Sequence, residues 1–234
     1  MEAKDYIKDY DVLIFDMGKT IMFEGDRFGN AQDYEDTYKS FGGYRISNTD
    51  LHELISHVYS TLLVISRTSY SFDSMPTVRE FLDKDMRFGI YDNHEKDLIE
   101  QVFAYHECGT VPNDCRRVLK DLSKTHKLGI ISNIWCSSMY FNNKLRENEV
   151  FDLFDHIIFS SDHGTVKPSQ TMFNMASNHF GKPPSEIVFI GDNYSRDVIG
   201  AKNAGMKSIW VNQNGHHPES VIPDCEIKHI KELI

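Results

Sequence analysis

Short apolar runs alternate with segments of helical period through most of the chain. The runs at 12–15, 128–131, 156–159, 187–190 and 207–211 are rich in Val, Ile and Phe and end in polar or small residues. Such runs predict strands covered on both faces, as in a parallel sheet. Ahead of the second, fourth and fifth runs the period lengthens. Val118, Leu119 and Leu122 form an apolar stripe behind Asn113, which is expected to cap that helix. Ser169 is expected to cap a second helix carrying Met172, Phe173, Met175 and Ala176, and 197–204 to form a third, closed by Gly205. Strand and helix in alternation imply right-handed crossovers and an α/β fold with a doubly wound, Rossmann-like parallel sheet.

More than a hundred residues separate the first apolar run from the second, and their pattern differs. Leu51, Leu54, Ile55, Val58, Leu62 and Ile65 lie on one broad helical stripe, and Leu98, Ile99, Val102 and Phe103 on another. Shorter helices are expected at 34–41 and 78–82. No strand pattern and no internal repeat stands out. The simplest organisation is a core of 1–23 and 109–234 with an all-helical insertion at 24–108. Tyr34, Tyr38, Phe41 and Tyr44 are expected to pack inside that insertion. Trp135 suits either the cleft between insertion and core or a buried place under the sheet edge.

Composition narrows the class. The 234 residues include 35 acidic and 25 basic side chains, a net charge of −10, which disfavours nucleic acid and anionic membranes as partners. With 40% hydrophobic residues there is enough for a core and too much for a disordered chain. The apolar run at 62–65 is four residues long, far below the roughly 18–20 of a membrane span. The charged first ten residues lack the apolar stretch of a secretory signal, so a cytoplasmic location is expected. Cys108, Cys115, Cys136 and Cys225 show no CxxC spacing and read as free thiols of a reducing compartment rather than disulfide or zinc ligands. His216 and His217, in a Gly/Pro-bounded loop, read as polar side chains facing water rather than a metal site.

Ligands of an open parallel sheet bind at the carboxyl ends of its strands, so the residues there carry the chemistry. The first run ends in Asp16, the second in Ser132 and Asn133; Lys167 follows the third; Asp192 ends the fourth, with Asp197 shortly after. Carboxylates crowded together repel one another unless a cation sits among them. Asp16 and Asp192 suit a hard ion such as Mg²⁺, while Lys167, Ser132 and backbone N–H groups after Asp16 suit phosphate oxygens. A carboxylate in line with phosphorus can act as nucleophile, and Asp16, at the exit of the first strand, is the candidate.

These stretches resemble the four motifs of the haloacid dehalogenase superfamily, specifically its phosphatase-like members with a helical cap after the first strand. Phe15-Asp16-Met17 to Thr20 is similar to the first motif, and Gly129-Ile130-Ile131-Ser132-Asn133 to the second. Lys167-Pro168 with Phe173 is similar to the third, and Ile190-Gly191-Asp192 to Asp197 with Gly200-Ala201 and Ala204-Gly205 to the fourth. The resemblance implies an Mg²⁺-dependent hydrolase of a small phosphate monoester, such as a sugar phosphate, acting through an aspartyl-phosphate on Asp16. It implies Asp16, the Gly18 carbonyl and Asp192 as metal ligands, with Asp197 acting mostly through water. It assigns Thr20, Ser132, Asn133 and Lys167 to the nucleophile and phosphate, and the insertion to closing the site and choosing the substrate.

One position departs from the pattern. Where the family's phosphatases carry a second aspartate as acid and base, this chain has Gly18. Three accounts follow: another group or water moves the proton, with Lys19, Glu24, His163 and His57 as candidates; the leaving group needs little acid help, as in an acyl phosphate; or the chain is a weakly active or inactive binder of phosphorylated ligands or partners. A metal-free dehalogenase reading is disfavoured by the pair Asp192 and Asp197. A Schiff-base reading is disfavoured by the polar settings of Lys39, Lys84 and Lys96.

Overall fold

The computed structural model describes residues 2–29, 31–68, 72–215 and 220–234. His216 and His217 lie outside the described residues. Six parallel strands form one sheet: β1 Val12–Phe15, β2 Lys127–Ser132, β3 His156–Phe159, β4 Ile187–Gly191, β5 Lys207–Val211 and β6 Cys225–Ile227. Their order is β3-β2-β1-β4-β5-β6, so the direction of winding reverses between β1 and β4. The five predicted strands are present with ends within one residue. β6 was not predicted, because it has only three residues and its middle one, Glu226, is exposed.

The nine helices among the described residues are α1 Ala3–Tyr6, α2 Tyr34–Ser40, α3 Asn48–Ile65, α4 Val78–Lys84, α5 Asn93–Glu107, α6 Asn113–Leu122, α7 Ser138–Glu147, α8 Gln170–Phe180 and α9 Ile199–Asn203. Alternation along β1 shows the double winding. Val12 and Ile14 pack with Met172, Phe173 and Ala176 of α8 and Ala201 of α9. Leu13 and Phe15 belong to the opposite core, with Val118 and Leu119 of α6 and Phe141 of α7.

Local chemistry explains most helix boundaries. Ser169 caps α8 by accepting from Thr171 N. Asn113 does not cap α6: it is the first helical residue, because the Pro112 carbonyl already accepts from Arg116 N at 2.9 Å. The helix expected at 197–204 is also shorter. A wide π turn, Tyr194–Val198, precedes α9, with the Asn193 side chain accepting from Arg196 N. Gly205 does take the left-handed conformation, at φ 82°.

Between β1 and β2 every regular element among the described residues is helical. Asp33, Ser47, Thr77 and Asp92 each cap the helix that follows by accepting from its third N–H. α3 buries Leu51, Ile55, Val58 and Leu62, and α5 buries Leu98, Ile99, Val102 and Phe103. Tyr34 and Tyr38 are buried as expected. Phe41 and Tyr44 are exposed, because α2 ends at Ser40 and the chain then turns through Gly42 at φ 91°. The chain enters and leaves this helical unit through one antiparallel bridge, with Phe23 N on Thr110 O at 2.8 Å and Thr110 N on Phe23 O at 2.7 Å. A Cβ on Gly109 would lie 2.1 Å from Phe23 O, so the two crossings are pressed together as only glycine permits. No helix among the described residues is long and apolar enough to cross a membrane.

Candidate active site

The carboxyl ends of β1, β2 and β4 converge on Lys167, which follows β3 and is 2% exposed. Its Nζ donates to Asp16 Oδ1 at 2.6 Å and to Asp197 Oδ1 at 2.7 Å. Asp16 Oδ1 also accepts from Ser132 Oγ at 3.3 Å. Two bonds fix the loop bearing the lysine: Lys167 N donates to Asn133 Oδ1 at 2.8 Å, and Asn133 Nδ2 to Lys167 O at 3.1 Å. Asn133 thus aligns the lysine through the backbone.

Asp197 reaches the lysine because the π turn tucks it under β4, where its Oδ2 accepts from Asn193 N at 2.9 Å. A Cβ at Gly191 would lie 2.3 Å from that carboxylate, so only glycine leaves room. Past Asp16 the chain folds into a tight turn, with Lys19 at φ 54° and Met22 N on Met17 O at 2.8 Å. Among the described residues the N–H groups of Met17 and Gly18 make no hydrogen bond, and both residues line a cavity of about 110 Å³ beside Ser132 and Asn133. Free N–H groups next to a carboxylate and a lysine suit the oxygens of an anion.

Carboxylate oxygens of Asp16, Asp192 and Asp197 lie within 4.8 Å of one another. Burial, with the charge of Asp16, holds the carboxyls of Asp192 and Asp197 above the usual carboxylate range. Burial pulls Lys167 down, but the charges of Asp16 and Asp197 outweigh it and leave its pKa raised. One lysine therefore faces three carboxylates, and Asp192 has no hydrogen-bond or ion-pair partner for its side chain among the described residues. Thr20 Oγ1, fully buried nearby in the chain, is also unpartnered. An all-oxygen donor set short of positive charge fits a hard divalent cation.

The other expected residues divide. Lys19 and Glu24 line the cavity with Gly18, whereas His57 is held inside the helical unit by Asp85 at 2.8 Å, and His163 is exposed and lines no part of it. Lys39 and Lys96 are tied to Glu35 and Asp83. Trp135 lines a second cavity, of about 120 Å³, and packs on Tyr59 and Phe103, so it belongs to the cleft. All four cysteines are free.

Two cleft residues escaped the sequence reading. Asp26 and Glu107 line both cavities. Glu107 Oε1 accepts from Trp135 N at 2.6 Å and Oε2 from Cys136 N at 3.1 Å, and burial pushes its carboxyl up to about 7. Neither belongs to a periodic pattern or a motif. The available signal was position, since each lies where the insertion meets the core.

The chain matches the family of haloacid dehalogenase-like hydrolases over residues 13–211. It is similar to pyrimidine 5'-nucleotidase YjjG of Escherichia coli (strain K12), at 31% identity over 111 residues, 46% of this chain and 48% of that protein. It is similar also to a glyceraldehyde 3-phosphate phosphatase of Pyrococcus furiosus, at 31% identity over 114 residues, 47% of each. The chain thus spans about half the length of these curated relatives. The crystal structure of a HAD phosphatase from Thermococcus onnurineus superposes with a TM-score of 0.63 at 27% identity, covering 95% of each chain.

Proposed function

The chain belongs to the haloacid dehalogenase-like hydrolases, and on that premise we propose that it is a magnesium-dependent phosphatase of small phosphate monoesters. The reading rests on one observation above all: Asp16, Lys167 and Asp197 are bonded in a line at the strand ends, with a third carboxylate, Asp192, alongside. The curated relatives include a pyrimidine 5'-nucleotidase and glyceraldehyde 3-phosphate phosphatases, which supports a small phosphorylated substrate.

In this reading Asp16 attacks phosphorus with the carboxylate oxygen not held by Lys167, forming an aspartyl-phosphate that water then hydrolyses. Lys167 and Ser132 orient Asp16, and Lys167, Thr20 and the N–H groups of Met17 and Gly18 receive the phosphoryl oxygens. Asn133 keeps Lys167 in place. Asp16, Asp192 and the Gly18 carbonyl would hold Mg²⁺, with Asp197 behind them. The ion would supply positive charge where charge develops on the transferring group. The helical residues 24–108 act as a cap domain over the core formed by 1–23 and 109–234; their residues Tyr59, Leu63 and Ser66 form part of the wall of the second cavity.

The test is phosphate release from sugar phosphates, nucleotides, acyl phosphates and p-nitrophenyl phosphate, with Mg²⁺ or with chelator. Turnover is expected with metal only and is expected to vanish in Asp16→Asn. A parent chain inert across the panel that still binds phosphate esters would replace the phosphatase reading with that of a phosphate-binding protein.

A further inference from the structure

Gly18 leaves the phosphatase reading without a group to move the proton, and the structure shows what surrounds the gap. A Cβ built on Gly18 meets nothing within 4 Å, so no neighbour has grown into the space. That space opens into the cavity shared by Lys19, Glu24, Asp26 and Glu107. Glu107 is committed, since both its oxygens accept backbone N–H groups. Glu24 accepts from Thr110 Oγ1 at 3.4 Å. The Asp26 carboxylate makes no hydrogen bond or ion pair among the described residues.

The backbone of Asp26 is held firmly for a loop. It adopts φ 53°, a left-handed conformation that aspartate tolerates better than most residues. Its N–H donates to Glu107 O at 3.2 Å, and the next N–H, of Arg27, to His106 O at 2.9 Å. An uncommitted carboxylate fixed at a cleft wall by its own backbone is the arrangement a proton-transfer group requires.

We infer that Asp26 is the general acid and base of this phosphatase, taking from the cap crossing the place that Gly18 vacates on the strand end. The inference rests on the phosphatase reading given above. In the first step Asp16 Oδ bonds to phosphorus, the ester P–O bond breaks, and the departing oxygen takes the proton of the Asp26 carboxyl to leave as an alcohol. In the second, water bonds to phosphorus and gives its proton back to Asp26, while the P–O bond to Asp16 breaks and phosphate leaves. The charged groups around Asp26 are Lys19, Arg196, Asp16 and Glu107. Asp26 is exposed to solvent at the cleft mouth, where the protein walls around its carboxyl disfavour its charge; they and the charge of Asp16 outweigh the two cations and hold the carboxyl above the ordinary range.

The experiment compares parent, Asp26→Asn, Gly18→Asp/Asp26→Asn and Asp16→Asn on glycerol 2-phosphate and on p-nitrophenyl phosphate with Mg²⁺. Asparagine suits the left-handed conformation, and unchanged thermal melting confirms the fold. Asp26→Asn is expected to lose roughly 10²- to 10⁴-fold in kcat on the alkyl ester. On the aryl ester, whose phenolate leaves unaided, it should release a burst of about one nitrophenolate per chain and then turn over slowly, because only the hydrolytic step lacks its base. Gly18→Asp in the same chain should restore turnover. Parent-like turnover of the alkyl ester by Asp26→Asn, or equal loss on both esters with no burst, would overturn the assignment while leaving the phosphatase reading intact. Full activity of Asp16→Asn would overturn that reading, and this one with it.

Discussion

Lys167 touches two carboxylates while almost wholly buried, so its charge and theirs survive burial only together. Lys167→Met keeps most of the stem and leaves Asp16 and Asp197 facing each other. The expected result is a loss of about 3–5 kcal/mol in urea unfolding, with no phosphate release. Two glycines in the same site should respond in opposite ways. Gly191→Ala drives a methyl to 2.3 Å from the Asp197 carboxylate and should cost roughly 1–3 kcal/mol by forcing it off Lys167. Gly18→Ala enters open space and should stay within about 0.5 kcal/mol of the parent in the same urea titration. A large cost at Gly18 would mean that the space above it is filled. At this scale Asp16, Ser132, Lys167, Asp192 and Asp197 were readable because each ends or follows an apolar run, and strand ends meet on one edge. Asp26 was not, because a left-handed loop residue leaves no period and fits no spacing rule.

Helix α5 joins the two halves through its last turns. Its Glu100 accepts from Ser137 N at 3.2 Å, while Glu107 takes the N–H groups of Trp135 and Cys136. Together they occupy the positive end of α7 and hold the loop that begins with Ser132 and Asn133. This contact makes stability depend on pH with a definite sign. Glu107 releases its proton near 4.5 when unfolded and near 7 when folded, because burial disfavours its charge. Its contribution is therefore whole below 4.5 and is lost as pH rises through 7, up to about 3 kcal/mol in all. Glu107→Gln cannot ionise. The parent's advantage over it in urea unfolding should be larger at pH 5 than at pH 8, and an advantage that grew with pH would contradict the burial argument. The period of α5 was legible from Leu98 to Phe103, and so was the helix. Its carboxylates were not, because a charged residue off the apolar stripe reads as solvated until a partner helix is placed against it. β6 and the π turn escaped for a related reason: neighbours, not their own pattern, hold them in place.

For the whole molecule, a chain of net charge −10 gathers three of its carboxylates within 4.8 Å around one lysine at the point where the sheet changes its winding direction. That position follows from topology, since strands wound outward in opposite directions leave a crevice where their loops diverge. The fold class was legible because two-faced strands and amphipathic helices alternate over most of the core, whereas the mouth of the cleft depends on how the helical insertion leans across it. The crowding itself predicts how the molecule responds to metal. A ligand present at a hundred times its Kd stabilises the folded state by about 2.7 kcal/mol, which for a chain of this size is roughly 5–10 °C in Tm. Mg²⁺ in the millimolar range should raise the melting temperature on that scale and chelator should reverse it. Sodium at matched ionic strength should do much less, since it screens the whole surface and neutralises no particular cluster. Asp192→Asn separates the local effect from the global one. It removes one of the repelling carboxylates, so the metal-free variant should melt above the metal-free parent, and its response to Mg²⁺ should shrink. An equal Mg²⁺ response in parent and variant would place the ion elsewhere on the acidic surface and leave the three aspartates as a group neutralised by protons and Lys167 alone.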